Sequence, residues 1–189
     1  MKKKTWIILG AVAAVIIIVV AFIAGTYNSL VTAQMTVEEK QSTIQVDLQR
    51  RADLIPNFVA SVKGYTDYEQ STLQAVTEAR AAVGKAANAS EQAAANEQLD
   101  SAIDIWVNAV TEAYPELEAS AQFRALQDEL AGTENRIAVS RKDYNEAVKK
   151  YNAGIRRFPK NLFANMFGFE PMPFFEASEG AEQVPTVSF

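Results

Sequence analysis

Neither cysteine nor histidine occurs anywhere in the 189 residues of this chain. The first absence excludes disulfides, thiol nucleophiles and lipid attachment of the lipoprotein type. The second excludes Ser-His-Asp triads, imidazole acid–base chemistry and the Glu-x-x-His ligand sets of di-iron bundles. Carboxylate oxygen is all that remains to hold a metal, which suits calcium or magnesium. Glycine-rich phosphate loops are also missing. Only eight glycines and six prolines occur, and Pro171, Pro173 and Pro185 fall in the last twenty residues. Long helices are therefore allowed through most of the chain. Most enzyme classes are excluded on these grounds, and no catalytic, cofactor-binding or metal-binding residue is assigned.

What is present begins at the N-terminus. Met1-Lys2-Lys3-Lys4-Thr5 precedes an uncharged run from Trp6 to Ala24. That run rises roughly 28 Å as a helix, enough to cross a hydrocarbon core of about 30 Å. Each Ile, Val or Leu contributes about −0.3 to −0.6 kcal/mol to insertion. It is too long for the apolar core of a cleaved signal, and no A-x-A ends it, so a retained transmembrane signal-anchor is expected. Three lysines stand before it, and the first basic residue after it is Lys40. The positive-inside rule then puts the N-terminus in the cytoplasm and residues 27–189 outside. The 18 basic residues less those three leave 15 against 23 acidic ones. An acidic domain disfavours nucleic acid. Its expected partners are the lipid bilayer, through the apolar helix, and another protein. Gly10, Ala14, Ala21 and Gly25 share one face of the anchor, at steps of four, seven and four. Such a face lets two membrane helices approach and form a homo-oligomer, although Gly and Ala are also simply common in membrane helices.

Beyond Tyr27 the helical pattern resumes at Leu30 and Val37 and runs through Ile44, Leu48, Ile55, Val59 and Val62 with no flexible linker. Pro56 deletes the bond to the Ala52 carbonyl and predicts a kink there. Lys63-Gly64 ends or bends this helix. Thr66-Asp67-Tyr68-Glu69 has the spacing of a capping box, predicting a second helix over 67–84. After the turn Gly84-Lys85-Ala86-Ala87-Asn88-Ala89-Ser90, a third helix is expected over 90–113, with Leu99, Ile103, Trp106 and Val110 on one face. Tyr114-Pro115 ends it. A fourth is expected over 116–157, about 42 residues or roughly 63 Å. Gly132 and Gly154 weaken that helix, which predicts close packing against both. The expected class is all-α: a single transmembrane helix (1–26), an elongated antiparallel four-helix bundle with coiled-coil-like seams (27–160), and an irregular aromatic and proline-containing C-terminal segment (161–189). There, Asn161 to Phe169 can form one or two helical turns. Phe163, Phe167, Phe169, Phe174 and Phe175 are read as a flap closing the end of the bundle, ahead of an exposed docking strip.

The fourth helix carries two patterns at once. Phe123, Leu126, Leu130, Ile137, Tyr144, Val148, Tyr151 and Ile155 form an apolar stripe. Glu134, Arg141, Asn145 and Asn152 form a polar row beside it. On the first helix, Arg50, Asp53 and Asn57 share a face by their three- and four-residue spacing. If the faces meet, Asp53 pairs with Arg136 or Arg141 inside the bundle. Such a network, like asparagines at equivalent heptad positions, fixes register rather than adding stability. That reading is preferred to a ligand site. The sharper alternative, Asp53 and Glu134 converging on a divalent ion, lacks enough oxygen ligands and is opposed by the neighbouring arginines.

These same stretches resemble the LemA family of bacterial membrane proteins. The resemblance rests on Tyr27-Asn28-Ser29-Leu30-Val31, the block from Arg50 to Asn57, Val62-Lys63-Gly64-Tyr65, Glu78-Ala79-Arg80, Gly132-Thr133-Glu134-Asn135-Arg136, Arg141, the two Tyr-Asn pairs, Phe158-Pro159 and the closing Val184-Pro185-Thr186-Val187-Ser188-Phe189. It implies a single-pass membrane protein with a helical-bundle domain and no established enzymatic activity, one branch of which is similar to proteins of the magnetosome membrane. The leading expectation is a non-enzymatic adaptor or scaffold that binds another envelope protein. The alternative is a self-assembling structural protein that organises the membrane, and the third is an oxygen-ligand metal-dependent enzyme.

Overall fold

Long stretches with apolar residues at helical spacing fold as expected into helices, and the described residues contain no strand. The computed structural model describes residues 2–62, 70–118 and 120–175. Gly64, the capping box over 66–69, and Pro185 with the closing stretch 184–189 lie outside them. Among the described residues six helices follow in order: α1 (Lys2–Val62), α2 (Gln70–Val83), α3 (Ala89–Ala113), α4 (Pro115–Glu118), α5 (Ala121–Arg156) and α6 (Lys160–Met166). The chain divides into two compact units, one of Met1–Glu39 with Glu146–Met172 and one of Lys40–Asn145 with Pro173–Phe189. For brevity these are the first and second unit, and α1 and α5 contribute residues to both.

The apolar N-terminal stretch and the helical pattern that resumes beyond Tyr27 are a single element, α1, 61 residues long. Its apolar N-terminal stretch is long and apolar enough to cross a membrane, and none of that stretch is buried. The helix passes through Pro56. The Ala52 carbonyl, four residues earlier, loses its helical donor there. Arg80 of α2 supplies one instead, its Nε donating to the Ala52 oxygen at 2.8 Å. The break that proline invites is thus relieved from a neighbouring helix.

Packing in the second unit centres on three aromatic rings from three helices. Phe58 of α1 meets Trp106 of α3 edge to face at 5.1 Å and stacks on Phe123 of α5 at 5.1 Å. Each such pair adds about 0.5–1.5 kcal/mol beyond the apolar area it buries. α2 packs on α3, and α3 starts at Ala89 because Asn88 caps it. The Asn88 Oδ1 accepts from the Glu91 N–H at 2.9 Å, while the Glu91 carboxylate accepts from the Ala87 N–H at 2.8 Å. This reciprocal cap satisfies two otherwise orphaned donors.

Two expectations are corrected. The helix expected over 116–157 is α4 and α5, separated around Ser120. The Ser120 N–H turns back to the Leu117 carbonyl at 2.9 Å and its own carbonyl accepts from the Arg124 N–H at 3.1 Å. Ser120 therefore starts a new helix instead of continuing the old one. The close packing expected at Gly132 and Gly154 is absent: a Cβ on Gly132 meets only the Arg136 guanidinium at 3.9 Å, and one on Gly154 meets nothing within 4 Å.

In the first unit, α6 ends in a left-handed turn at Gly168 (φ 75°). The Phe169 N–H bonds the Ala164 carbonyl at 3.0 Å and the Gly168 N–H bonds that of Asn165 at 3.4 Å. This is the Schellman arrangement, for which glycine is suited because it carries no Cβ. The turn presents Phe167 and Phe169 to Tyr27, with ring centroids at 5.0 and 5.8 Å, and Phe163 meets Phe22 at 6.0 Å. The aromatic segment is no uniform flap. Phe175 is buried, Phe163 and Phe169 are half-buried, and Phe167 and Phe174 are exposed.

Candidate functional site

A seven-residue row along α1 runs Leu30, Val37, Ile44, Arg51, Phe58, and all five are buried. Such a row stays on one seam of a helix that packs along its length. Arg51, the one charge in the row, is only 6% exposed. Its guanidinium contacts the carboxylates of Asp100 on α3 and Glu134 on α5. It also donates to the Asn96 Oδ1 at 3.3 Å, and Asn96 in turn donates to Asp100 at 2.9 Å. One cation is thus shared by two carboxylates. Burial pushes the Asp100 carboxyl up to about 6; Arg51 opposes the rise, while Glu134 and Asp104 add to it. A cleft of about 370 Å³ opens beside the cluster, lined by Arg51, Asp100, Asp104, Glu134, Ile103 and Leu130 among others. A second cation is repelled by Arg51, whose charge both carboxylates already answer. Among the described residues no group of three or more carboxylates is placed to hold a metal. Arg51 was missed because the Arg50/Asp53/Asn57 spacing drew attention to the adjacent face. The apolar seven-residue row itself was the signal that could have found it.

Of the expected residues Glu134 joins this cluster, and the others lie elsewhere. Arg50 is exposed and donates to Glu129 at 3.0 Å, and Arg136 reaches the same Glu129 oxygen at 3.0 Å. Asp53 pairs with neither Arg136 nor Arg141. It accepts from Gln49 at 2.8 Å and stands 4.0 Å from Arg80, the residue that serves the Ala52 carbonyl. Asn57 lines an open groove of about 660 Å³ together with Arg50 and Asp53 along the exposed flank of α1. Glu134 is drawn to Arg51, so Asp53 and Glu134 do not share a partner. Arg141 lies over the Phe175 ring, 4.5 Å from its centroid.

Asn145 and Asn152 do not bridge helices. In the second unit the Asn145 side chain donates to the Phe175 carbonyl at 2.9 Å and accepts from the Phe175 N–H at 2.8 Å, while the Tyr144 hydroxyl donates to the Pro173 carbonyl at 3.0 Å. In the first unit Asn152 does the same to Met172, at 2.8 and 2.9 Å, and Tyr151 donates to the Glu170 carbonyl at 3.0 Å. A carboxamide matches a peptide unit donor for acceptor, so each asparagine fixes one residue of main chain as a neighbouring strand does. Burial raises both tyrosine hydroxyls above their ordinary range, and Glu170 and Glu38 add to the rise at Tyr151. Both therefore stay protonated donors. Spacing revealed the repeated Tyr-Asn pair but not its partner, which is 19 to 30 residues away in sequence.

The first unit also holds an open cleft of about 800 Å³, lined by Phe22, Ser29, Lys149, Lys150, Arg157 and Lys160 among others. Lys160 donates to the Ser29 hydroxyl at 3.1 Å, and Lys150 pairs with Glu146 at 2.7 Å.

Against known proteins, a model of the LemA family matches residues 40–189. Magnetosome protein MamQ 1 and Magnetosome protein MamQ 2 of Paramagnetospirillum magneticum are each 28% identical to the chain, over 84% of it and 68% of their own length. Protein LemA of Metamycoplasma hominis is 28% identical, over 82% of the chain and 71% of its own length. None of these names is that of an enzyme.

Proposed function

We propose, from the premise that this chain belongs to the LemA family, that it is a membrane-anchored, non-enzymatic adaptor which binds another envelope protein. The observation that carries the reading is the division of its polar residues. Arg51, Asp100 and Glu134 are spent on one another inside the second unit, whereas Arg50, Asp53 and Asn57 line an exposed groove on α1. An inward polar centre holds helices in register, and an outward polar groove is left for a partner. The convergence of α1, α3 and α5 on Arg51, with α2 on Ala52, supports an antiparallel four-helix bundle with coiled-coil-like seams. The organisation proposed is an anchor over 1–26, the bundle over 27–160 and a C-terminal segment over 161–189.

Retention of the anchor is supported by the rings of Phe163, Phe167 and Phe169, which pack on Phe22 and Tyr27 at and just beyond its end. The N-terminus is placed in the cytoplasm and the domain outside the inner membrane, on the asymmetry between Lys2, Lys3, Lys4 and the distant Lys40. The test is photo-cross-linking from positions 50 and 57 in intact cells, with mass spectrometry of what is captured. A reproducible foreign membrane protein supports the adaptor. A hydrolytic activity in the purified chain, abolished by one point substitution, overturns it.

A second reading, self-assembly that organises the membrane, rests on the face shared by Gly10, Ala14, Ala21 and Gly25, whose small side chains let membrane helices approach. Self-links alone, lost on Ala14→Leu with Ala21→Leu, support that reading.

A further inference from the structure

The geometry points to α6 as a membrane-surface element: we propose that its outer stripe enters the bilayer interface while the basic cleft beside it holds anionic phospholipid headgroups. The proposal rests on the reading of the Trp6 to Ala24 stretch as a transmembrane anchor. Three observations within the first unit carry it. The first is depth. Phe163 of α6 packs on Phe22, inside the apolar run, and Lys160 bonds Ser29, five residues beyond Ala24. Five residues of helix rise about 7.5 Å, and the headgroup layer on each side of the hydrocarbon core is about 5–8 Å thick. Lys160 therefore stands at headgroup level and the Phe163 ring at the hydrocarbon edge. Tyr27, with Phe167 and Phe169 against it, stands where aromatic side chains gather at membrane interfaces.

The second observation is an apolar stripe with nothing on it. Leu162 and Met166, four residues apart on α6, are 58% and 62% exposed, and Phe158, two residues before the helix, is 80% exposed. Water makes such a row of side chains costly, and lipid at that depth removes the cost. The third is charge. Lys149, Lys150, Arg157 and Lys160 line the cleft against a single acidic residue, Glu146. Among the described residues neither Lys149 nor Arg157 has an acidic partner. In a chain with an acidic total, this cluster of cations, which includes Lys160 at headgroup level, suits phosphate-bearing lipid. Long basic side chains there keep their stems along apolar surface and their charges in the headgroup layer.

The absence of native cysteine allows a clean test. Single-cysteine variants of the full chain, Ile16→Cys, Phe158→Cys, Leu162→Cys and Met166→Cys, are spin-labelled and reconstituted into vesicles of zwitterionic lipid, with or without phosphatidylglycerol. Collision with oxygen and with a water-soluble nickel chelate reports depth. The expected result is a lipid-buried label at 16 and interfacial labels at 158, 162 and 166. Phosphatidylglycerol should also be enriched over zwitterionic lipid at the protein surface, and Lys149→Gln with Arg157→Gln should reduce that enrichment by at least about fivefold. Water-exposed labels at 158, 162 and 166 with a buried label at 16 overturn the proposal and leave the stripe to a protein partner. A water-exposed label at 16 overturns the anchor reading itself, and the proposal with it. Unchanged enrichment in the double variant overturns the headgroup assignment.

Discussion

Replacing Arg80 with alanine removes the donor that serves the carbonyl stranded by Pro56. A hydrogen bond from a charged donor contributes about 1.5–3 kcal/mol, and a buried acceptor left unserved costs about 1–3 kcal/mol. Ala52 is only 4% exposed, but the Arg80 side chain is 40% exposed, which favours the lower part of that range. The expected loss is about 1–2 kcal/mol, with little added from the 4.0 Å pair to Asp53 at the surface. In a Pro56→Ala background the restored N–H at position 56 bonds the Ala52 carbonyl as in any helix. Arg80→Ala there should cost less than about 0.5 kcal/mol, a coupling of about 1 kcal/mol or more across the cycle. Urea unfolding of the four full-length proteins in detergent micelles, followed by far-ultraviolet circular dichroism, measures it. An equal cost of Arg80→Ala in both backgrounds refutes the claim that Arg80 repairs the proline.

Arg51→Ala leaves Asp100 and Glu134 without their cation and should cost about 3–5 kcal/mol in the same unfolding assay; a loss below 1 kcal/mol contradicts a buried charge centre. Asp100 titrates at about 6 in the folded chain against 3.8 unfolded. Its contribution is therefore fully present below 3.8 and is lost as pH rises through 6. The full shift is worth roughly 3 kcal/mol, and partial exposure of the carboxylate reduces it to about 1–2 kcal/mol. Wild type should lose that much stability between about pH 3.5 and 7, and Asp100→Asn should flatten the slope; an identical slope in both proteins refutes the assignment. Gly132→Ala, with open space at its Cβ, should stabilise by up to about 1 kcal/mol, read as a higher urea midpoint at unchanged slope.

Much of the architecture could be read along the chain because it is local. The continuity of α1 follows from a stretch without linker residues, and the apolar stripe of α5 is largely the buried one, with Leu126 alone half-buried. Capping at Asn88 and the division at Ser120 were less visible, since each depends on a few main-chain bonds rather than on periodicity. The polar centre was misplaced by one residue: Arg50 and Arg51 are adjacent, so spacing from Asp53 selects one and spacing from Ile44 and Phe58 selects the other. Only the second choice respects the buried seam. The partners of Asn145 and Asn152 were beyond reach because a carboxamide that seeks main chain leaves no complementary residue type to look for.

That last property has a consequence for the C-terminal segment. The asparagines recognise amide groups that nearly every residue offers, and proline alone fails at Met172 and Phe175, where an N–H must be given. The prolines present stand at 171 and 173, outside those two places. Fastening is thus indifferent to spelling except at Phe175, whose ring is itself buried. The segment can be rewritten at 174, and at 172 by anything but proline, without coming loose, whereas the two asparagines that hold it cannot be exchanged even for aspartate, which gives up the donor.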